Sequence, residues 1–155
     1  MMIRDLGEVI GQHRLFAGLD PAFLDLVAGC SANRVFRPGT VLAREGASFD
    51  HLYLLRAGHV GLDVVAPGRG RLRIQTVGPD DVLGLSWLVP PYVWRYDATA
   101  LEEVRAVEID ATCLRAKCEA DPAVGYAVLK RFMQPIVERL QGTRLQLLDV
   151  YGTPR

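Results

Sequence analysis

Short stretches of alternating apolar and polar residues, separated by turn residues, dominate the middle of the chain. Residues 60–64 and 72–76 each alternate with a period of two, which is typical of half-buried strands. Proline and glycine at 67–70 and 78–79 mark turns after each of them. Strands about ten residues apart with turns between them predict a small antiparallel barrel or jelly roll.

Helical patterns flank this region on both sides. Apolar residues recur at steps of three and four within the first thirty residues, and Asp20 followed by Pro21 is typical of a helix start. Asp110 is predicted to cap the start of a short helix. Asp121 followed by Pro122 predicts the start of a long helix that runs to about Val150, with Gly152 just past its end.

These patterns predict a mainly β fold with flanking helices: an antiparallel jelly-roll barrel with N-terminal helices and a long C-terminal helix. We expect one domain over residues 1–155. The N-terminal helices are predicted within 1–31, the barrel within 33–110 with an insert at 84–95, and the C-terminal helices within 111–151.

Charge and composition restrict the functions that the chain can have. Its 18 Lys and Arg balance 18 Asp and Glu, so its surface as a whole does not attract nucleic acid or an anionic membrane. No run approaches the roughly 20 apolar residues of a membrane span, and acids stand near the N-terminus, so we expect a cytoplasmic protein. Three cysteines without CxxC spacing predict reduced, mostly structural thiols. Three scattered histidines predict no metal site.

Two motifs carry a family resemblance. Residues 36–46 read F-x-x-G-x-x-L-x-x-x-G, and residues 50–58 follow the pattern D-x-L-Y-x-I-x-x-G with leucine at the isoleucine position. With the order of elements, these motifs resemble the cyclic nucleotide-binding domain of bacterial catabolite activators and kinase regulatory subunits. The resemblance covers nearly the whole chain and implies the jelly-roll fold.

The resemblance also implies where a ligand would bind. In the family, the insert before the last two strands holds a cyclic phosphate with backbone N–H groups and an arginine, and a glutamate binds the ribose hydroxyl. The family pattern G-D-x-F-G-E is matched here at Asp81 and Gly84, but Leu85 stands at the glutamate position. Tyr96 stands at the arginine position. Arg95 is one residue away, so on a strand it would face the opposite side.

These departures predict weakened binding of a cyclic nucleotide. The loss of each charged contact costs roughly 1.5 to 3 kcal/mol, and the two together lower affinity by roughly two to four orders of magnitude. The candidate ligand-binding residues nevertheless remain those of the cassette: Leu83, Gly84, Leu85, Ser86, Trp87, Trp94, Arg95, Tyr96, Asp97 and Ala98.

The aromatic residues of the insert allow three interpretations. They pack into the core around an empty cassette, or they line a pocket for a planar ligand whose anionic end binds Arg95, Ser86 and the N–H groups after Gly84. In the third interpretation they form an exposed patch for a protein partner.

The long C-terminal helix predicts a homodimer. One apolar face suits a partner helix, through Val128, Phe132, Ile136, Leu140 and Leu147, and a second apolar row runs beside it. Alternatively, Pro135 kinks the helix so that it folds back on its own barrel. From Lys130 onward five basic residues outnumber two acids, which is more typical of a solvated helix face than of a DNA contact.

No constellation in the sequence indicates catalysis, since Ser86 lacks the second glycine of G-x-S-x-G. We predict a non-enzymatic, stand-alone regulatory domain without a DNA-binding module. It would bind a small ligand, nominally a cyclic nucleotide, need no cofactor, and signal through its C-terminal helix. The alternative is a ligand-independent module that docks on an unknown protein through the insert or that helix.

Overall fold

Two short helices begin the part of the chain that the computed structural model describes, residues 5–151. Helix α1 spans Leu6–Gln12 and α2 spans Pro21–Ala28. The predicted start of α2 is confirmed, because the Asp20 carboxylate accepts a hydrogen bond from the Ala22 N–H at 2.9 Å.

Eight strands follow within the described residues, and they form two antiparallel four-stranded sheets. The strands are β1 Ser31–Phe36, β2 Val41–Ala43, β3 His51–Ala57, β4 Val60–Ala66, β5 Gly70–Val77, β6 Val82–Leu83, β7 Asp97–Ala100 and β8 Val104–Asp110. One sheet has the order β1-β8-β3-β6 and the other β2-β7-β4-β5. The predicted jelly-roll fold is confirmed.

The two faces of the second sheet differ in chemistry. Leu62 of β4 pairs with Ala98 of β7, and both are buried in the core. The next pair, Asp63 and Asp97, points to the other face, where Arg73 donates to Asp63 at 2.6 Å. The alternation of strand side chains therefore separates an apolar interior from a charged exterior.

Helices α3 (Ala111–Ala120) and α4 (Pro122–Tyr151) complete the described chain. Both predicted starts are confirmed, with Asp110 accepting from the Cys113 N–H at 2.9 Å and Asp121 from the Ala123 N–H at 3.1 Å. Pro135 lies within α4 and does not end it. The predicted stop at Gly152 lies outside the described residues. No helix between residues 5 and 151 has the length and apolar character that crossing a membrane requires.

The first half of α4 packs on its own barrel. Val128 and Phe132 are buried there, so their expected place in a dimer interface is wrong. Both belong to the buried core of the domain, and Phe132 packs on Trp87 of the insert. Ile136, Leu140 and Leu147 remain exposed. One apolar face of the helix thus changes from core to surface along its length.

The expectation that all cysteines are reduced thiols is also wrong. Cys30 and Cys113 form a disulfide across 83 residues of sequence. Because β1 pairs antiparallel with β8, the residues that flank these strands lie side by side, and the Asp110 N–H donates to the Cys30 carbonyl at 2.8 Å. Cys118 stays a buried free thiol, and burial raises its pKa.

Candidate functional site

The insert between β6 and β7 begins at a glycine that no other residue can replace without strain. Gly84 is buried with a φ of +106°, which L-residues rarely adopt. An added Cβ would stand 2.5 Å from Cζ of Phe49 and 3.2 Å from Cη2 of Trp94. The backbone at Gly84 therefore packs directly against the aromatic rings of Phe49 and Trp94, which form the floor of the insert.

That floor consists of stacked rings. Trp94 stacks on Phe49 with ring centroids 4.1 Å apart and planes 8° from parallel, and Tyr96 meets the edge of Trp94 at 5.7 Å. At the other end of the insert, Trp87 packs on Phe132 of α4 at 5.2 Å. Both tryptophans are buried. Of the three interpretations of the insert, core packing agrees with this burial.

Tyr96 points its hydroxyl at the start of the cassette. The Gly84 backbone hydrogen bonds to the Tyr96 side chain, and the Arg139 guanidinium approaches from α4. Burial raises the pKa of Tyr96, while Arg139 and Gly84 act in the opposite direction. A neutral phenol thus lies where the resemblance places an arginine.

Arg139 supplies the cation of this site, which the sequence motifs do not indicate. Its Nη2 donates to the carbonyl of Val82, two residues before Gly84. The basic surplus on α4 was interpreted as a solvated face, yet Arg139 is only half-exposed. The charge of Arg139 was visible in the sequence, but its proximity to Gly84 depends on how α4 packs against the barrel.

Arg95, the cation chosen from the sequence, is exposed. Asp97 lies on the outer face, where it accepts from the Glu45 N–H at 2.8 Å and pairs with Arg71 at 2.9 Å. Neither residue faces the interior of the cassette. Side chains alternate along the strand, and Ala98, the neighbour of Asp97, is the one that points into the core.

The other four candidate residues line the core side of the insert. Leu83 and Ala98 are buried in the main cluster, and Leu85 packs against it while partly exposed. Ser86 is half-buried, and its carbonyl accepts from the Val89 N–H at 2.9 Å in a turn.

Helix α3 holds the insert from the opposite side. Arg115 donates from Nη1 to the Trp87 carbonyl at 2.5 Å, and its guanidinium carbon lies 4.1 Å from the centre of the Tyr92 ring. This combination of a charge-assisted hydrogen bond and a cation–π contact fixes both ends of the turn. The insert is therefore clamped between α3 and α4.

A cavity of about 270 Å³ opens beside the cassette. Its walls are α4 between Arg131 and Gln146, the 80–82 turn, two residues of β5, and Arg14 with Leu15. Arg14 pairs with Glu138 of α4. Arg131 donates to the Ala17 carbonyl at 2.6 Å and Arg139 to the Val82 carbonyl, so these two guanidinium groups bind dipoles and not full negative charges.

Comparison with known proteins agrees with this architecture. The family model for the cyclic nucleotide-binding domain matches residues 33–121, more than half of the chain. The fold and the position of the insert are those of the class of domains that this family model describes. The chain belongs to the cyclic nucleotide-binding domain family, which confirms the resemblance found in the sequence.

Individual relatives share both sequence and fold. The chain is 27% identical over 149 residues to the CRP-like cAMP-activated global transcriptional regulator of Mycobacterium tuberculosis, covering 96% of this chain and 64% of that protein. It thus spans less than two thirds of the curated relative's length. A crystal structure from Geobacter metallireducens GS-15 is 29% identical, with 90% of this chain and 99% of that chain covered at a TM-score of 0.78. A cyclic nucleotide-binding-like protein from Brucella abortus is 30% identical over 75% of this chain and 99% of its own, with a TM-score of 0.60.

Proposed function

We propose that this domain senses a small anionic ligand in the cavity beside the cassette and signals through α4. The observation that carries the proposal is the contact of Arg139 with Val82, because it joins α4 to β6, the strand that leads into the insert, at the cavity wall. A ligand that recruits the guanidinium takes it from a backbone carbonyl. Since a carboxylate or phosphate binds a guanidinium more strongly than a neutral carbonyl does, the exchange favours the ligand.

The usual mode of cyclic nucleotide binding is disfavoured by two residues. Leu85 offers no acceptor to a ribose hydroxyl, and Tyr96 offers no charge to a phosphate at the position of the family's arginine. A cyclic nucleotide stays the nominal ligand because the M. tuberculosis relative is described as cAMP-activated. In the proposed site its phosphate binds the arginines of α4, and the cassette backbone contributes little.

Signalling follows from the position of Arg139 on the transmitting helix. A ligand that binds more tightly to one position of α4 shifts the population toward that position. The half of α4 beyond Phe132 has little contact with the barrel core, so it can respond without unfolding the barrel.

Thermal-shift titration with millimolar cyclic AMP and cyclic GMP tests this proposal. A bound ligand raises the melting temperature (Tm), and Arg139→Met should abolish that rise. Arg95→Met is the matched control, because it removes the same charge from an exposed site, and it should leave the rise intact. Loss of the response in Arg95→Met alone would contradict the assignment of Arg139. The absence of any rise in the unmodified protein would refute cyclic nucleotides as ligands.

We further propose that α4 pairs with α4 of a second copy. Its exposed face carries a seam whose spacing alternates between four and three residues: Leu129, Met133, Ile136, Leu140, Thr143, Leu147 and Val150. This is the a/d pattern of a coiled coil, which needs a second helix of the same pattern. Leu140 and Leu147 are 49% and 52% exposed, whereas both tryptophans of the insert are buried, which supports α4 as the surface for a partner.

Sedimentation velocity distinguishes this pairing from a monomeric sensor. Leu140→Glu places a charge in the seam and should give a monomer at tens of micromolar. Gln141→Glu adds the same charge one residue outside the seam and should leave the dimer intact. A monomer in the unmodified protein at that concentration would refute the helix pair.

A further inference from the structure

The Cys30–Cys113 disulfide ties the end of α2 to the first turn of α3. Both cysteines line a surface cavity of about 200 Å³, together with residues of β1, β3 and β8. Cys113 is half-buried and is the accessible half of the disulfide, whereas Cys30 and the third cysteine, Cys118, are both buried. A thiol in solution can therefore approach the disulfide from outside.

The same helix carries the clamp on the insert. Arg115, two residues after Cys113, binds the Trp87 carbonyl and the face of the Tyr92 ring. Without the disulfide, the side-chain tie between α3 and α2 that remains in place is the hydrogen bond from Lys117 to the Leu26 carbonyl at 2.9 Å. The cross-link lies less than one helical turn from Arg115, on a helix that is also held by the buried Leu114 and by the hydrogen bond from the Ala111 N–H to the Asp50 carbonyl at 2.9 Å.

We propose that Cys30 and Cys113 form a reversible thiol–disulfide site whose substrate is a dithiol reductant, and that its redox state sets how firmly α3 holds the insert. A thiolate of the reductant attacks one sulfur, and the other cysteine leaves as a thiolate. The second thiol of the reductant then attacks the reductant sulfur of this mixed disulfide, and the remaining cysteine of the protein leaves as a thiolate. Cys30 and Cys113 gain two electrons and two protons, and the reductant becomes a disulfide.

Reduction frees α3 at its first turn and loosens the contacts of Arg115. The insert packs on Phe132 of α4 through Trp87, so the change reaches the helix that carries the proposed signal. Oxidation restores the clamp. This device needs no ligand in the cavity, so it is independent of the function proposed above.

Thiol counting and tryptophan emission test the site in the intact protein. After oxidation with oxidised glutathione, alkylation in denaturant followed by mass spectrometry should modify only Cys118, and after dithiothreitol treatment of the native protein it should modify all three cysteines. The chain has two tryptophans, Trp87 and Trp94, and both belong to the insert, so their emission reports the clamp. We expect an emission change, and we expect Tm to fall by roughly 10 °C because a loop of 83 residues is released. Both should reverse on reoxidation.

Three variants separate the site from its neighbours. Cys113→Ser should have the emission and the Tm of the reduced protein, and dithiothreitol should change neither. Cys118→Ser should respond to dithiothreitol like the unmodified chain. Arg115→Met should keep the change in thiol count and lose the emission response.

Three results would each overturn the proposal, and all come from the unmodified chain. The first is that three thiols react after oxidation. The second is that the disulfide of the native protein survives 10 mM dithiothreitol. The third is that reduction leaves the tryptophan emission unchanged.

Discussion

Replacing Phe132 by alanine should separate α4 from the insert. Phe132 is 1% exposed and contacts Phe16 edge-on at 6.0 Å and Trp87 at 5.2 Å. It is therefore the aromatic bridge between the long helix, the turn after α1 and the cassette. Met133, the next residue of α4, is 48% exposed.

The cost of the replacement follows from burial. Truncating a buried phenylalanine to alanine costs about 3 to 5 kcal/mol, which includes the lost transfer free energy and the cavity left behind. Each aromatic pair adds about 0.5 to 1.5 kcal/mol when its geometry is favourable. We expect about 4 kcal/mol, because the neighbouring rings relax partly into the space. For a domain of this size that lowers Tm by about 8 to 16 °C.

Urea denaturation followed by circular dichroism measures the free energy of unfolding. Phe132→Leu keeps most of the apolar volume and should cost clearly less, so a measurable variant exists even if Phe132→Ala unfolds. Met133→Ala should change the free energy of unfolding by less than about 0.5 kcal/mol at low protein concentration. The effect of Phe132→Ala should also be independent of protein concentration. An effect below 1 kcal/mol would contradict the burial of Phe132 in the core. An effect that shrinks with dilution would show that Phe132 serves an interface between chains.

Two further perturbations test the cassette and the turn beside it. Gly84→Ala should destabilise the fold by about 2 to 5 kcal/mol, because its φ is +106° and the new Cβ would stand 2.5 Å from the Phe49 ring; Phe49→Leu in the same chain should recover part of that loss, and strictly additive effects in urea would contradict the close contact. His13 is buried, with Nε2 3.2 Å from the Asp81 carbonyl, and burial lowers its pKa from 6.5. The folded state therefore prefers neutral His13. The contribution of His13 to the free energy of unfolding is complete above pH 6.5, and it is lost as the pH falls from 6.5 through the lower pKa of the folded state. His13→Gln should flatten the decline in stability between pH 7.5 and 5, the range that brackets the unfolded pKa, and an equally steep decline in the variant would contradict this role.

The sequence predicted the features that depend on neighbouring residues. Asp20, Asp110 and Asp121 each accept a hydrogen bond from a nearby backbone N–H at a helix start, and such caps need no information from the rest of the chain. The alternation at 60–64 and 72–76 likewise predicted the strands β4 and β5. The half-burial expected from it is not found, because β4 is buried from Val60 to Asp63 and β5 is exposed from Gly70 to Thr76.

The features that the sequence missed depend on distant pairings. Cys30 and Cys113 are 83 residues apart, and only the register of β1 on β8 brings them together. Arg95 was chosen as the cation because it is close in sequence to the family position, yet Arg139 reaches the cassette from another helix. The apolar face of α4 showed that something covers the helix, but the sequence could not show where its barrel-bound part ends, after Phe132.

The exchange of residues at the cassette changes which element carries the charge. In the family pattern an arginine at the end of the insert binds the phosphate, so its charge does not belong to the long C-terminal helix. Here Tyr96 occupies that position, and the guanidinium belongs to α4. If α4 moves, the cation moves with it, so the ligand affinity of the proposed site and the position of α4 are linked. Such coupling is reciprocal. The factor by which pairing of α4 with a second copy changes the ligand affinity is therefore the factor by which a ligand that recruits Arg139 must change the affinity of that pairing.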